Sequence, residues 1–155
     1  MALMRYLLDT GILLRLPDRS DPFHSVVREA VRGLSPHELV TATQNIAEFW
    51  NVCTRPSTAR GGLGLAGHEA QRRLRLLERL VVVLREPPSA YERWKTLVMR
   101  CKVQRRQVHD ARLVALMKAY RIKRVLTLNA PDFARYPGVE AITPQNVVRD
   151  LSSGQ

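Results

Sequence analysis

The chain has 155 residues and a net charge of +11, carried by 25 Lys and Arg against 14 Asp and Glu. That length holds one domain with a proper core, the 45% hydrophobic fraction is ordinary for a soluble globular protein, and no window is long and apolar enough to span a membrane. The basic excess is mostly arginine, which suits bidentate phosphate contacts, so the charge points to nucleic acid, an acidic partner or an anionic membrane.

In chain order, Tyr6-Leu7-Leu8 reads as a short buried strand that ends at Asp9 and Thr10. Asp9 interrupts the apolar stretch, and no small-residue cleavage site follows, so the N-terminus does not read as a signal peptide. A short helix begins at Gly11 and stops at Pro17. A second helix runs from His24 to Gly33, with Val26, Val27, Ala30 and Val31 at helical spacing. Leu39 to Ala42 is a second buried strand. Thr43 caps a helix from Gln44 to about Thr54, with Ile46, Phe49, Trp50 and Cys53 on its apolar face.

The stretch from Pro56 to Gly67, PSTARGGLGLAG, is a loop. Gly62, Gly64 and Gly67 match the G-x-G-x-x-G pattern formally. A dinucleotide site needs a strand directly before it, and Pro56 to Arg60 is none, so a flexible linker is the expectation. A basic helix follows from His68 to about Arg79, then a β-branched strand from Leu80 to Leu84. Ser89 to Lys102 is helical, with Tyr91, Trp94, Leu97 and Val98 as core contacts. Another helix spans about Asp110 to Tyr120. Arg124 to Leu128 and Val139 to Ile142 are strands, and Pro144 to Leu151 is a final helical segment before a loose tail. Cys53 and Cys101 lie far apart with no metal or redox spacing, and read as reduced, buried thiols of a cytoplasmic protein.

Strands alternating with helices, without hairpin turns, predict an α/β fold with a mostly parallel sheet. Continuous apolar strands imply that both sheet faces are covered. Ligands bind such sheets beyond the carboxyl ends of the strands, which is where Asp9 stands. Glu48 lies about a turn and a half past the second strand, Asp110 opens its helix, and Asn129 and Asp132 follow the fourth strand. In a parallel sheet all of them converge on one edge. Crowded carboxylates repel unless a cation lies between them, and an oxygen-only donor set favours Mg²⁺ or Mn²⁺. Taken singly, each has a plainer reading: Asp110 as a helix cap, Glu48 as a solvent-facing residue, Asp132 as a turn residue.

Four segments in order, YLLDTGILLRL, NIAEFWNVCTRP, VHDARLVALM and RVLTLNAPDFARYPGVEAITP, resemble the successive motifs of PIN domains, most closely those of VapC-type toxins of bacterial toxin–antitoxin pairs. The resemblance covers nearly the whole chain. It implies a PIN-like three-layer α/β/α sandwich over residues 1–150, with 151–155 as the tail, and a metal-dependent endoribonuclease that cleaves RNA by metal-activated water. The acidic set carries over onto Asp9, Glu48 and Asp110 as catalytic metal ligands, with Asp132 and Asn129 as weaker ones. Many PIN domains carry Asp where this chain has Asn129. The resemblance also implies a homodimer and a cognate antitoxin whose C-terminal segment covers the acidic pocket. Arg72, Arg73, Arg75, Arg105 and Arg106 are candidates for RNA contact. His109, beside Asp110, is a lesser candidate for catalysis or for a backbone bond.

Two other readings compete. Phosphoryl transfer of the haloacid-dehalogenase type needs a second Asp two residues after the first, where Gly11 stands. A PIN fold with weak catalysis, binding RNA or serving as a housekeeping nuclease without an antitoxin, is the alternative that keeps the fold.

Overall fold

The structure, a computed structural model, describes residues 4–154. Five strands, β1 (Tyr6–Leu8), β2 (Leu39–Ala42), β3 (Val82–Leu84), β4 (Arg124–Leu126) and β5 (Glu140–Ile142), form one sheet in the order β3-β2-β1-β4-β5. Every pairing is parallel, so all five carboxyl ends meet one edge. Leu7 pairs with Val40 on one side and Val125 on the other, which makes β1 the centre of the sheet.

Successive strand residues point to opposite faces, and the two cores follow that alternation. Tyr6, Leu8, Leu39 and Leu126 face a layer built from α1 (Thr10–Arg15), α2 (His24–Gly33), α3 (Thr43–Thr54), α4 (Gly67–Leu80) and α7 (Pro144–Ser153). Leu7, Val40 and Val125 face α5 (Ala90–Arg100) and α6 (Gln107–Ala119). Leu7 and Leu8 are fully buried on opposite faces, and each burial contributes about 2 kcal/mol. The fold is the expected three-layer α/β/α sandwich. Residues 113–117 of α6 are buried without a polar interruption, as a helix enclosed on most sides requires.

Several element boundaries differ from the sequence expectation. Helix α6 begins at Gln107, so Asp110 sits within the first turn and is not the cap. At α3, Ala42 is the N-cap and Thr43 the first helical residue; the Ala42 backbone N–H donates to Asn45 Oδ1 at 3.2 Å, a contact from the third helical position in place of the expected Thr43 cap. Leu80 completes α4 and Val81 is its C-cap, so only Val82 to Leu84 pair as a strand. That strand is an edge, with Val82 56% exposed, and both-face coverage fails there. Trp50 and Tyr91 stand exposed outside the core. Cys53 is buried, but Cys101 is only half-buried. Helix α7 runs on to Ser153, and Gln155 of the expected tail lies outside the described residues. No helix among the described residues is long and apolar enough to cross a membrane.

The glycine-rich loop is tied down along the end of α3. Leu63 N–H donates to Val52 O at 3.1 Å, Gly64 N–H to Arg55 O at 2.8 Å, and Leu65 N–H to Cys53 O at 2.8 Å. Gly64 has a φ of +63°, a conformation that glycine adopts without strain. A Cβ at Gly62 would overlap the carbonyl oxygens of Pro56 and Arg55. Close backbone approach explains Gly62 and a left-handed backbone explains Gly64; neither marks a flexible linker. Gly62→Ala is therefore expected to destabilise the protein by about 1–3 kcal/mol, the usual cost of overpacking, as read by urea unfolding. Unchanged stability would mean that the loop gives way freely.

Candidate functional site

Asp9 is the first residue beyond β1 and the N-cap of α1, because its backbone is extended and its side chain accepts from Thr10 N–H at 2.9 Å. Its backbone N–H donates to Leu126 O at 3.0 Å, continuing the β1–β4 ladder by one residue. The second carboxylate oxygen accepts from the Thr127 hydroxyl at 2.8 Å. The same hydroxyl accepts from the Asn129 N–H at 3.1 Å. Two adjacent strand ends thus fix one carboxylate.

Glu48 projects from α3 and accepts from the Thr10 hydroxyl at 3.0 Å. That hydroxyl accepts from Asn45 Nδ2 at 3.1 Å. Asn45 is 1% exposed, and its side chain is bonded at both ends, so a buried amide sets Thr10 and Thr10 sets Glu48. Across the cleft, Gln44 Nε2 donates to the backbone carbonyl of His109 at 2.9 Å. This bond ties the first turn of α3 to the first turn of α6, next to Asp110. The space between them is a cleft of about 590 Å³ lined by Asp9, Asn45, Glu48, Asn51, His109 and Asp110, with Arg106 at its edge. Asp132 lies on the 3₁₀ turn Ala130–Phe133 after β4. It accepts from Asn129 Nδ2 at 2.6 Å.

The carboxylates act on one another. Asp110 is pushed up to about 6, first by burial and then by the charges of Asp132, Asp9 and Glu48; Arg135 opposes this. Burial raises Asp9 as well, its bonds to Thr127 and Thr10 hold it down, and the charges of Glu48 and Asp132 add to the rise. Among the described residues, none of these four carboxylates has a Lys, Arg or His partner within ion-pair distance. Nor do any three His, Cys, Asp or Glu side chains there converge tightly enough to form a ready metal cage. The side-chain bonds account for that spread: Glu48 turns to Thr10, and Asp132 turns to Asn129. The donor set still suits a hard cation, since it offers carboxylate oxygens with uncompensated negative charge.

All of Asp9, Glu48, Asp110, Asn129 and Asp132 lie at the carboxyl edge of the sheet, as expected, with Asp132 outside the cleft lining and exposed. His109 reaches the cleft, but its bonded group is the backbone carbonyl. The basic candidates separate. Arg106 borders the cleft. Arg72 and Arg75 stand exposed on α4, on the opposite face of the sheet from α6. Arg73 lies against Asp18 at 4.0 Å with its side chain only 22% exposed. Thr10, Gln44, Asn45 and Thr127 were not singled out in the sequence. The local signals were there: a hydroxyl directly after Asp9, amides in the first turn after β2, and a hydroxyl two residues before Asn129.

The repulsion has a measurable sign. A carboxyl raised from 3.8 to about 6 adds most to stability below its unfolded value, and that contribution is lost as pH rises through the folded value. In the presence of a chelator, Asp110→Asn is expected to be more stable than the parent at pH 7, by on the order of 1–2 kcal/mol after allowance for solvent screening. The gain should vanish near pH 4. Thermal melts at both pH values check this, and a variant less stable at pH 7 would mean that Asp110 is not repelled.

The PIN domain family pattern matches residues 6–139. No curated protein is recognisably similar in sequence. Among solved structures, a toxin–antitoxin complex from Klebsiella pneumoniae aligns with a TM-score of 0.62 at 21% identity, over 90% of this chain and 97% of that one. VapBC-1 from nontypeable Haemophilus influenzae aligns with a TM-score of 0.65 at 19% identity, over 92% and 99%. Mycobacterium tuberculosis VapC20, a toxin that cleaves the sarcin-ricin loop, gives 0.57 at 19% identity, over 77% and 86%. At such identities the likeness is one of fold, and the family rests on the match along the chain itself: with Asp9, Glu48 and Asp110 inside the matched span, this protein belongs to the PIN domain family.

Proposed function

We propose that this PIN domain is a Mg²⁺- or Mn²⁺-dependent endoribonuclease and the toxin of a toxin–antitoxin pair. The observation that carries the reading is the set of three carboxylates, Asp9, Glu48 and Asp110, lining one cleft with Asp132 just outside it, none with a cationic partner among the described residues, and with Asp9 and Asp110 raised by burial and by their neighbours' charges. Asp9, Glu48 and Asp110 are the residues to hold the ion, with Asp132 and Asn129 as weaker contributors. Bound there, the ion offsets the negative charge of a phosphodiester and acidifies water for attack. The protein's own part is orientation. Thr127 and the Thr10 N–H fix the Asp9 carboxylate, and Asn45 through Thr10 fixes Glu48. No Ser–His–acid set is required.

The toxin part of the reading is supported by structural neighbours, one named as a toxin–antitoxin complex and another as a toxin. A homodimer and an antitoxin whose C-terminal segment covers the cleft belong to the same proposal, with the apolar face of that segment lying in a groove between helices. Toxicity on expression that no neighbouring gene product relieves would leave a housekeeping nuclease.

Total RNA incubated with the protein is expected to be cut with Mg²⁺ and spared with EDTA. Asp9→Asn, Glu48→Gln and Asp110→Asn should each reduce cutting to background while the fold persists, and double variants should be no worse, because each removes a share of the same ion. Near-full activity at limiting Mg²⁺ in any one of them would remove that residue from the set. Asp132→Asn should raise the Mg²⁺ concentration for half-maximal cutting by several-fold. Asn129→Asp should lower it by adding a carboxylate, unless the added repulsion dominates. An unchanged requirement in Asp132→Asn would return Asp132 to a turn-capping role.

A further inference from the structure

A cleft lined by carboxylates repels the polyanion it is proposed to cut, so positive charge must hold the strand on either side of it. The structure shows where such charge gathers. Between α5 and the segment after β4 lies a second cavity of about 640 Å³, in the range that takes a nucleotide-sized group. Arg93 and Arg100 line it from α5, one helical face apart by two turns, with Thr96 between them. Lys118 and Arg135 line the other wall. Lys118 spends one donor on Pro137 O at 2.7 Å. Arg93, Arg100 and Arg135 are exposed, and among the described residues none has a carboxylate within ion-pair distance. The one acidic group in the lining, Glu92, is paired with Lys95 at 3.1 Å.

The cavity and the acidic cleft share α6, which gives Lys118 to the one and His109 and Asp110 to the other. Arg135 is near enough to Asp110 for its charge to act on that carboxyl. Tyr136, next to Arg135, donates to the Gln107 carbonyl at 3.5 Å, and Trp94, next to Arg93, donates to the Val108 carbonyl at 2.9 Å, so both walls of the cavity are tied to the start of α6, where Arg106, His109 and Asp110 line the cleft. Arg106 borders the cleft from the start of α6. Unpaired cations therefore run from the cleft into the cavity on the α5–α6 face, whereas Arg72 and Arg75 lie on the other layer.

We infer that the cavity formed by Arg93, Arg100, Lys118 and Arg135 is the phosphate track for single-stranded RNA running to or from the acidic cleft. Guanidinium groups suit phosphodiester oxygens geometrically. The track rests on the nuclease reading for its occupant, but its test does not need cleavage.

The experiment is anisotropy of a labelled single-stranded RNA 12-mer titrated with the full chain in EDTA, at several salt concentrations. Relative to the parent, R93Q/R100Q is expected to weaken binding about ten-fold or more near 0.1 M salt and to reduce the log–log salt slope by about 1.4, for two lost phosphate contacts on a single strand. R28Q/R79Q, which removes two exposed charges from α2 and α4, should stay within two-fold. RNA should also shield half-buried Cys101 from alkylation, while buried Cys53 serves as the unreactive internal control. Parent protein that binds no RNA, or R93Q/R100Q with unchanged affinity and slope, overturns the track. Poly-glutamate bound by the parent and lost in R93Q/R100Q while RNA binding persists would also overturn it, and assign the cavity to an acidic protein. The two readings fail separately: a track confirmed in EDTA without cutting in Mg²⁺ defeats the nuclease alone, and metal-dependent cutting with unaltered binding in R93Q/R100Q defeats the track alone.

Discussion

Everything at the functional edge depends on one carboxylate held at the junction of the two central strands. Asp9 is at once the residue after β1, the cap of α1 and the acceptor for Thr127 after β4. The parallel sheet makes this possible, because it brings the ends of β1, β2 and β4 to the same level. A half-buried carboxylate is tolerated there because two donors offset part of its desolvation. The same enclosure raises its proton affinity, so the site gives up stability to concentrate negative charge.

The neighbouring groups are placed by the same economy of short connections. Helix α3 begins directly after β2, so Asn45 and Glu48 enter the cleft within its first two turns. Helix α6 meets them from the other face of the sheet, and the Gln44–His109 bond spans the gap. The two hydrophobic cores on either side of the sheet brace these helices independently. The cleft is thus the seam between two rigid layers, and the basic cavity opens on one of them.

Much of this was legible in the sequence for a physical reason: an Asp amid apolar residues, a Glu in an apolar helix and acidic residues after predicted strands are each costly to enclose, and strand order alone brings them to one edge. Strand positions followed from β-branched and leucine-rich runs. What the sequence hid was set by tertiary contact. Glycines at positions 62 and 64 look like a flexible linker until the backbone of α3 is seen beside them. Trp50 and Tyr91 fit apolar helical faces yet end outside the core. Arg72 and Arg93 are alike in sequence, and only the fold puts one on the far layer and the other in the basic cavity. The roles of Thr10, Asn45 and Thr127 depend on partners as far as 118 residues away, which no local pattern records.

The central claim is that the crowded carboxylates form a cation site whose occupancy is coupled to proton loss. Calorimetric titration of the full chain with Mn²⁺, run at pH 6 and pH 7.5 in two buffers of different ionisation enthalpy, measures this directly. The account predicts saturable binding with net proton release at pH 6, near the raised value of Asp110, and little release at pH 7.5. Absence of saturable binding, or binding with no proton release at pH 6, would contradict it.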